Sequence, residues 1–391
     1  MKDIYIIDAV RTPIGKFGGS LKDIPASQLG TITTKALIER NSINPELVKS
    51  VVLGNVSEAG DIYNSARNIA INSGMSDDVA AYTVNRLCGS GMQAIISSIM
   101  EIETDNSDLS IAVGAENMSR IPYILPNSRW GIKMGHFMTT DSMSDILSDP
   151  FDKYPAGILG ENLAEEYKIS REEQDRFALS SQEKYDLAHK ENRFKEQLIS
   201  VEVGGKIGTF SKDEHARMTT LEDLAKLKPV FKKDGTVTAG NASGINDGAA
   251  SVLLTSKEKM DELKLKPLAK IISYASGGIN HNLMGYAPVI SSKKALEKIG
   301  MHIDQIDLIE ANEAFASQVL AVGKGLEWNP EKVNVNGGAI ALGHPLGMSG
   351  VRITVMLAHE MRRCNVKYGL ATICIGGGIG LTLVLENPWK E

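Results

Sequence analysis

The chain has 391 residues, of which 42% are hydrophobic and 23% are charged, and its formal net charge at pH 7 is −6. This length and composition are typical of a soluble globular protein with two or three domains. The negative charge argues against a surface for nucleic acid. No uninterrupted apolar run approaches the roughly 20 residues that span a bilayer, so neither a nucleic-acid nor a membrane partner is expected.

The N-terminus and the cysteines both favour a cytoplasmic protein. Acidic residues lie inside and beside the first apolar stretch, residues 4–8, which is unlike a secretory signal and predicts a first strand. Cys88, Cys364 and Cys374 are too few and too scattered for a disulfide framework or a zinc knuckle. A reducing cytoplasm is therefore the expected compartment.

The first third of the chain alternates predicted strands with predicted helices. Residues 27–40 are predicted to form an amphipathic helix with Ser27 as its N-cap. Residues 51–56 and 109–114 form apolar runs that predict buried strands. This alternation indicates a largely parallel sheet that is covered by helices.

A lone cysteine, Cys88, lies where a predicted strand at 81–85 becomes a predicted helix at 92–102. Gly89, Ser90 and Gly91 form the joint between the two elements. A thiol at a helix N-terminus is exposed to the positive end of the helix dipole, which lowers its pKa and favours the thiolate. The unpaired N–H groups there are also suited to bind an oxyanion. Cys88 is therefore a candidate nucleophile.

Two other interpretations of this turn stay open at this point. A free cysteine is most often a small buried hydrophobic residue. Residues 89–94 also match the G-x-G-x-x-A dinucleotide fingerprint, with Glu116 as a possible ribose ligand. That match would indicate an NAD-dependent oxidoreductase, or a cofactor-binding module without catalysis.

The middle of the chain has a different character. From residue 119 to 241 the regular strand spacing disappears, and this segment is predicted to be an inserted subdomain. Within it, residues 170–173 form a capping-box pattern that opens a helix reaching residue 190. The small residues at 238–250 either form a tight helix against the sheet or leave the backbone accessible to a narrow ligand arm.

The final third repeats the first in outline. The predicted sequence of strand, helix, strand, strand and helix recurs at residues 269–275, 291–299, 307–312, 333–336 and 349–362. The predicted domains are an N-terminal half at 1–118 plus 242–267, the insertion at 119–241, and a C-terminal half at 268–391. Such a duplication places Cys88 and His344 at equivalent corners, where a pseudo-twofold axis would bring them together.

Three further side chains complete a candidate site around Cys88. His344 lies in a glycine-rich loop before Pro345, and Cys374 runs into a glycine-rich turn that offers N–H donors. Two such cysteines indicate split roles, in which one thiolate carries an acyl group and the other moves a proton. Asn312 follows a strand and is suited to hold a water or a substrate oxygen. Cys364 is interpreted as structural or incidental.

These motifs resemble those of the thiolase family along nearly the full length of the chain. The resemblance is carried, in the family's order, by residues 85–91 around the nucleophile, 312–315 (Asn-Glu-Ala-Phe), 343–345 (Gly-His-Pro) and 374–376 (Cys-Ile-Gly). It implies an α/β protein with the duplicated αβαβα layered fold, in which two similar mixed-sheet halves carry an inserted loop subdomain. A ketoacyl synthase would share the fold and the nucleophile but use two histidines, so the motifs favour a thiolase.

The resemblance also implies a mechanism. Cys88, activated by His344, would attack the thioester of an acyl-CoA, and Cys374 would then remove an α-proton from acetyl-CoA. The resulting carbanion would attack acyl-Cys88, and the reverse reaction would be thiolysis of a 3-ketoacyl-CoA. His344 and a water held by Asn312 would form one oxyanion site, and the backbone N–H groups of Cys88 and Gly376 the other.

The resemblance further implies the ligands of the site. Coenzyme A thioesters would be substrates, with no metal or redox cofactor, and the implied contacts to CoA and substrate are Ala242, Ser243, Met284 and Phe315. In one place the chain departs from the family: short-chain biosynthetic thiolases carry His-Met-Gly where this chain has Pro-Ala-Gly at 155–157. Acyl chain length and direction therefore stay open, with a degradative thiolase of broader chain length as the alternative. Residues 131–135 resemble the family's oligomerisation loop, which predicts a tetramer, or otherwise a dimer.

Overall fold

The computed structural model describes residues 2–390, which form strands and α-helices in alternation. The strands are β1 (Ile4–Arg11), β2 (Gly15–Lys16), β3 (Ser50–Gly54), β4 (Ala80–Val84), β5 (Leu109–Asn117), β6 (Tyr123–Ile124), β7 (Thr140–Asp141), β8 (Val201–Gly204), β9 (Gly208–Phe210), β10 (Asn246–Ser256), β11 (Ala269–Gly278), β12 (Leu308–Ala311), β13 (Tyr368–Ile375) and β14 (Ile379–Glu386). The helices are α1 (Ala26–Arg40), α2 (Ser65–Asn72), α3 (Ser90–Glu103), α4 (Ser142–Ile146), α5 (Gly157–Glu166), α6 (Arg171–Lys190), α7 (Leu221–Ala225), α8 (Lys257–Glu262), α9 (Ala287–Glu297), α10 (Ala316–Leu326), α11 (Ala339–Leu342) and α12 (Leu346–Cys364).

One large sheet runs through the molecule in the order β12-β13-β14-β11-β1-β10-β5-β3-β4. Its two halves repeat the same pattern: β1, β10 and β5 pair antiparallel and β5 pairs parallel with β3, while β11, β14 and β13 pair antiparallel and β13 pairs parallel with β12. The halves meet where β1 and β11 pair antiparallel. The predicted duplication is confirmed, but the sheet is mixed rather than largely parallel because β10 and β14 return antiparallel to their neighbours.

Helices α3 and α12 form the middle layer of the fold. The largest apolar cluster joins Ile95 of α3 and Val355 of α12 to side chains from both halves of the sheet, such as Val252 of β10 and Leu383 of β14. A second cluster packs α1 and α2 on the other face of the N-terminal half. A third packs α9 and α10 on the other face of the C-terminal half. The resulting order of layers is αβαβα, as the resemblance implied.

Glycines allow the first turns of α3 and α12 to meet. A Cβ added at Gly91 would lie 2.5 Å from the carbonyl oxygen of Gly347, and one added at Gly350 would lie 2.3 Å from the backbone nitrogen of Met92. Gly54, at the end of β3, lies against Ser90 in the same way. These contacts leave no room for a side chain. The turn after β4, which carries Cys88, therefore lies directly beside the turn after α11, which carries His344.

We expect Gly91→Ala to lower the free energy of unfolding by about 1–3 kcal/mol, since the new methyl group would overlap backbone that cannot move independently. Urea denaturation would measure the loss. Gly278→Ala is the matched control, because a Cβ there meets only the carbonyl oxygen of Gly378, at 3.8 Å. Equal stability of the two variants would contradict this explanation of the glycine contacts.

Three local predictions are wrong, and each error has a physical cause. Ser27 does not cap α1, because its N–H and hydroxyl both donate to the carboxylate of Asp61 from a distant loop, at 2.8 Å each. The helix considered for residues 238–250 does not form, since residues from 246 onward belong to β10. Residues 333–336 form no strand, because the Asn334 side chain pairs with both the N–H and the carbonyl of Ala311 at 2.8 Å.

The predicted capping box at residues 170–173 is present in the structure. The Ser170 hydroxyl accepts from the N–H of Glu173 while the Glu173 carboxylate accepts from the N–H of Ser170, so the predicted capping box opens α6. The predicted domain limits, including 119–241 for the insertion, stay a prediction. Among the described residues, no helix is long and apolar enough to cross a membrane.

Candidate active site

Cys88 lies in the turn between β4 and α3, two residues before the helix begins. Leu87 has a φ of +48°, a left-handed conformation that is unfavourable for leucine. Ser90 stabilises this turn, because its hydroxyl donates to the carbonyl of Leu87 at 2.6 Å and accepts from the N–H of Arg86 at 2.8 Å. The turn leaves the Cys88 side chain only partly buried and facing the turn between β13 and β14.

The electrostatics of Cys88 differ from the prediction. Burial raises the pKa of the Cys88 thiol to about 11, and hydrogen bonds from the backbone N–H groups of Cys88 and Gly376 only partly offset this effect. The expected lowering of the pKa by the helix N-terminus is therefore wrong, because desolvation of the thiolate outweighs the backbone donors. The thiol is neutral at rest and needs a base. The N–H groups of Cys88 and Gly376 nevertheless converge on it, as an oxyanion site would require.

Cys374 lies at the end of β13 and is buried. Burial, together with the nearby Cys88, raises the pKa of its thiol. Cys374 packs in an apolar cluster with Leu159, Met284 and Ala314. The two cysteines predicted to share the chemistry are thus close together, and Cys374 is the more shielded from water.

His344 lies in the loop between α11 and α12, and its ring orientation is fixed by Ser349. The Ser349 hydroxyl donates to the carbonyl of Pro345 at 2.8 Å, so at 2.6 Å it accepts from Nδ1 of His344. This assigns the proton to Nδ1 and leaves Nε2 as an acceptor. Burial and the charge of Arg352 lower the pKa of His344 to about 3, so the imidazole is neutral and able to take a proton.

Asn312 follows β12 and faces the same Nε2 atom. Its Nδ2 lies 3.5 Å from Nε2 of His344, and its Oδ1 accepts from Nη2 of Arg352 at 3.0 Å. Both Asn312 and His344 are buried. The structure therefore places Cys88 and Cys374 together at the Gly376 backbone, and His344 and Asn312 together as a second pair. The two sets are joined by Leu346, two residues after His344, which packs in one apolar cluster with Cys88.

Ser349→Ala is expected to lower kcat/KM about tenfold or more, because the Nε2-protonated tautomer of His344 would then compete with the productive one. Steady-state kinetics would measure the loss. Thr354→Ala is the matched control, since Thr354 makes the same kind of hydroxyl-to-carbonyl bond on α12, to Gly350 at 2.9 Å, without touching a histidine. Equal kcat/KM in the two variants would contradict the role of Ser349.

The residues predicted to contact substrate also lie in one region. Ala242 pairs with Phe315 through a single β-bridge, and the N–H of Ser243 donates to the carbonyl of Ala314 at 3.0 Å. Met284 is buried in the cluster around Cys374. These contacts join residues 242–243, in the run of small residues, to residues 314–315 after Asn312. The backbone of residues 242–243 therefore lies beside the candidate site.

The segment that departs from the family pattern lies at the same place. Tyr154 and Ala156 pack against the cluster of Cys374 and Met284, and the N–H of Ala156 donates to the carbonyl of Leu147 at 2.8 Å. Of the two residues that differ from the family pattern, Ala156 thus lies against this cluster, whereas Pro155 is exposed. Apolar Pro155 and Ala156 offer no side-chain hydrogen bond there.

Glu116 is not a ribose ligand. It is fully buried, and its carboxylate accepts hydrogen bonds from the backbone N–H groups of Val56, Ser57 and Gly347 at 2.9–3.2 Å. Burial raises the pKa of Glu116 to about 7. Because its acceptors are occupied inside the fold, the dinucleotide interpretation of residues 89–94 has no structural support. Cys364, by contrast, is exposed at the end of α12, the helix that begins two residues after His344, and its interpretation as structural or incidental stays a prediction.

Two functional candidates, Ser349 and Arg352, were missed in the sequence. Both follow His344 on α12, five and eight positions later, and they lie on one helix face because their spacing is three residues. The signal was present as polar residues in the first half of the helix, where most neighbouring side chains are apolar. It could not be interpreted without knowing that this face meets His344 and Asn312.

Comparison with known proteins agrees with this geometry. The family described as Thiolase, N-terminal domain matches residues 4–258, and Thiolase, C-terminal domain matches residues 265–387. The acetyl-CoA acetyltransferase of Syntrophomonas wolfei subsp. wolfei is 49% identical over 98% of this chain and 99% of its own, and that of Pseudomonas aeruginosa is 49% identical over 99% and 100%.

Solved structures agree as well. Human mitochondrial 3-ketoacyl-CoA thiolase superposes with a TM-score of 0.95 at 43% identity, covering 99% of each chain. The Bacillus anthracis acetyl-CoA acetyltransferase superposes with a TM-score of 0.96 at 44% identity, also over 99% of each chain. With both family domains matched in order over nearly its whole length, the chain belongs to the thiolase family.

Proposed function

We propose that the protein is an acetyl-CoA C-acetyltransferase, which condenses two acetyl-CoA molecules to acetoacetyl-CoA and CoA and runs the reverse thiolysis through an acyl-cysteine. The observation that carries this proposal is that the Cys88 thiol lies at a pair of N–H donors, its own and that of Gly376, close to the second thiol, Cys374. A nucleophile, a second thiol and an oxyanion site are the groups that a Claisen condensation on a thioester needs.

In the first half-reaction, Nε2 of His344 takes the proton of Cys88 while the thiolate attacks the acetyl-CoA carbonyl. The new bond joins the Cys88 sulfur to the acetyl carbon, and the bond from that carbon to the CoA sulfur breaks. Cys374 gives its proton to the departing CoA sulfur, which leaves a Cys374 thiolate. The neutral imidazole and the neutral thiols of the resting site match this sequence of transfers.

In the second half-reaction, the Cys374 thiolate removes an α-proton from a second acetyl-CoA. The carbanion forms a carbon–carbon bond with the acetyl group on Cys88, and the released Cys88 sulfur recovers its proton from His344. The raised pKa of Cys374 is suited to this step, because a thiolate that is desolvated in an apolar cluster is a stronger base. These steps use no metal and no redox cofactor.

Coenzyme A is the proposed carrier of both acyl groups. Ala242, Ser243 and Phe315 are proposed to contact its pantetheine arm, and Met284 is proposed to line the acyl pocket. Their support is the pairing of the 242–243 and 314–315 backbones beside Cys374. The structure of human mitochondrial 3-ketoacyl-CoA thiolase in complex with CoA, which is 43% identical with a TM-score of 0.96, makes a direct comparison of these contacts feasible.

Thiolysis of a series of 3-ketoacyl-CoA substrates tests the proposed function. With CoA as the second substrate, acetoacetyl-CoA is expected to be cleaved, because its thiolysis is the reverse of the proposed condensation. The relative kcat/KM along the series measures the pocket directly. A preference for long chains would favour the degradative thiolase of broader chain length, and no cleavage of any member would overturn the proposal.

We also propose a homo-oligomer, either a tetramer or a dimer. The loop between β6 and β7 resembles an oligomerisation loop and exposes large apolar side chains, including Trp130 and Met134, which are 86% and 95% exposed. Exposed apolar patches of this kind favour association. Sedimentation that finds a monomer at micromolar concentration would contradict both states. The cytoplasmic location stays a prediction.

A further inference from the structure

We propose that Arg352 is a positioning residue for the reaction, which holds the Asn312 amide so that its N–H group and Nε2 of His344 face one oxygen of the substrate or of a bound water. This inference rests on the proposed function. It assigns to α12 both controls of this oxyanion site, since Ser349 orients His344 and Arg352 orients Asn312.

The first step of the argument is the orientation of the amide. A guanidinium group only donates hydrogen bonds, so the Asn312 atom that lies 3.0 Å from Nη2 of Arg352 is the amide oxygen. The amide nitrogen is thereby turned toward His344, where it lies 3.5 Å from Nε2. This distance is too long for a strong direct hydrogen bond. It allows both groups to contact one oxygen placed beside them.

The second step concerns the different contacts that Nη1 and Nη2 of Arg352 make. Arg352 is fully buried, and its Nη1 lies 3.9 Å from a carboxylate oxygen of Glu310 and 3.5 Å from the sulfur of Met356. The nearest carboxylate thus lies at the outer limit of an ion pair, and burial raises its pKa to about 8, while Nη2 makes the shortest contact of the guanidinium, to a neutral amide. Burying a guanidinium is costly unless it is well paired. A buried arginine whose best hydrogen bond goes to a neutral amide therefore indicates that this bond has a function besides packing. A lysine has no planar fork and cannot serve both sides.

The third step is electrostatic. Arg352 contributes to lowering the pKa of His344, although burial is the larger cause. The other charged groups that influence Arg352 are Glu310, Glu313, Arg11 and Asp213. Loss of the Arg352 charge removes one of the two influences that keep His344 neutral. Its pKa then rises, and the acidic limb of the kcat–pH profile moves to higher pH.

A double-mutant cycle tests the proposal, with acetoacetyl-CoA thiolysis as the assay. We expect Arg352→Gln to lower kcat about 100-fold, the order seen for loss of one oxyanion donor, while KM changes by less than about threefold. Arg352→Lys should keep the acidic limb near its wild-type pH and recover part of kcat. In an Asn312→Ala background either substitution should change kcat by less than about threefold, because the group that Arg352 positions is gone.

The controls separate this result from misfolding and from failure of the proposed function. Arg363→Gln removes an arginine on the same helix that pairs with Glu360 near the surface, and it should leave kcat unchanged. Thermal unfolding shows which variants fold, and if Arg352→Gln does not fold, the Arg352→Lys cycle decides. The positioning role would be overturned if the effects of the Arg352 and Asn312 substitutions on kcat were fully additive, or if Arg352→Lys had a wild-type kcat. It would also be overturned if neither Arg352 variant folded. An inactive wild-type enzyme would instead overturn the proposed function.

Discussion

Replacing Cys88 with serine is expected to lower kcat for thiolysis by about 10⁴-fold or more, because the covalent route is then lost and only binding and the oxyanion donors remain. A hydroxyl is a far weaker nucleophile than a thiol, and the neutral His344 imidazole is too weak a base to ionise it fully. Steady-state thiolysis of acetoacetyl-CoA measures the effect. The serine is nearly isosteric with the thiol, so the strained turn at Leu87 should be kept.

Cys364→Ser is the matched control for this variant. Cys364 is an exposed thiol near the end of α12, where its sulfur donates to Glu360 at 3.3 Å. Its replacement should leave kcat unchanged within about twofold, as for surface substitutions away from a site. A Cys88→Ser enzyme that keeps more than about a tenth of wild-type kcat would show that the acyl group does not pass through Cys88.

Replacing Cys374 with serine is expected to lower kcat by about 10²–10⁴-fold, the contribution of a positioned general base. Its signature is a separation of the two half-reactions. Acyl transfer to Cys88 should still occur, since the nucleophile, His344 and the N–H donors are intact, although release of CoA slows. Exchange of the α-protons of acetyl-CoA with deuterated water, followed by NMR, should be lost.

The contrast with Cys88→Ser makes the assignment of the base specific. In that variant Cys374 is intact, but no leaving CoA sulfur takes its proton, so neither acylation nor efficient condensation is expected. If α-proton exchange persists at the wild-type rate in Cys374→Ser, another group removes the proton and the split roles of the two thiols are wrong.

Much of the fold follows from the sequence because the duplicated elements are strongly patterned. The apolar runs at 109–114 and 269–275 lie within β5 and β11, and the capping box at Ser170 opens α6 as predicted. Local chemistry determines such elements, so a single sequence is enough to identify them. The repeat also predicted that Cys88 and His344 occupy equivalent corners of the two halves, and the turns that carry them meet through Gly91 and Gly347.

Other features depend on contacts between distant segments and were beyond prediction. The carboxylate of Asp61, rather than the Ser27 side chain, accepts from a backbone N–H at the start of α1. The side chain of Asn334 bonds to the Ala311 backbone where a strand at 333–336 was predicted. The pKa of Cys88 is the clearest case. A helix N-terminus lowers the pKa of a thiol in isolation, but burial depends on what packs above it, and here burial is the larger effect. Arg352 was missed for the same reason.

The central claim is that Cys88 carries the acyl group, and one measurement tests it most directly. The wild-type enzyme is incubated with acetyl-CoA, quenched in acid, digested and examined by peptide mass spectrometry, with Cys374→Ser as a variant that should trap the intermediate. We expect one acetyl group on the peptide that contains Cys88 and none on those that contain Cys364 or Cys374. An unmodified Cys88 peptide in both enzymes, or an acetyl group on Cys374 instead, would contradict the covalent mechanism.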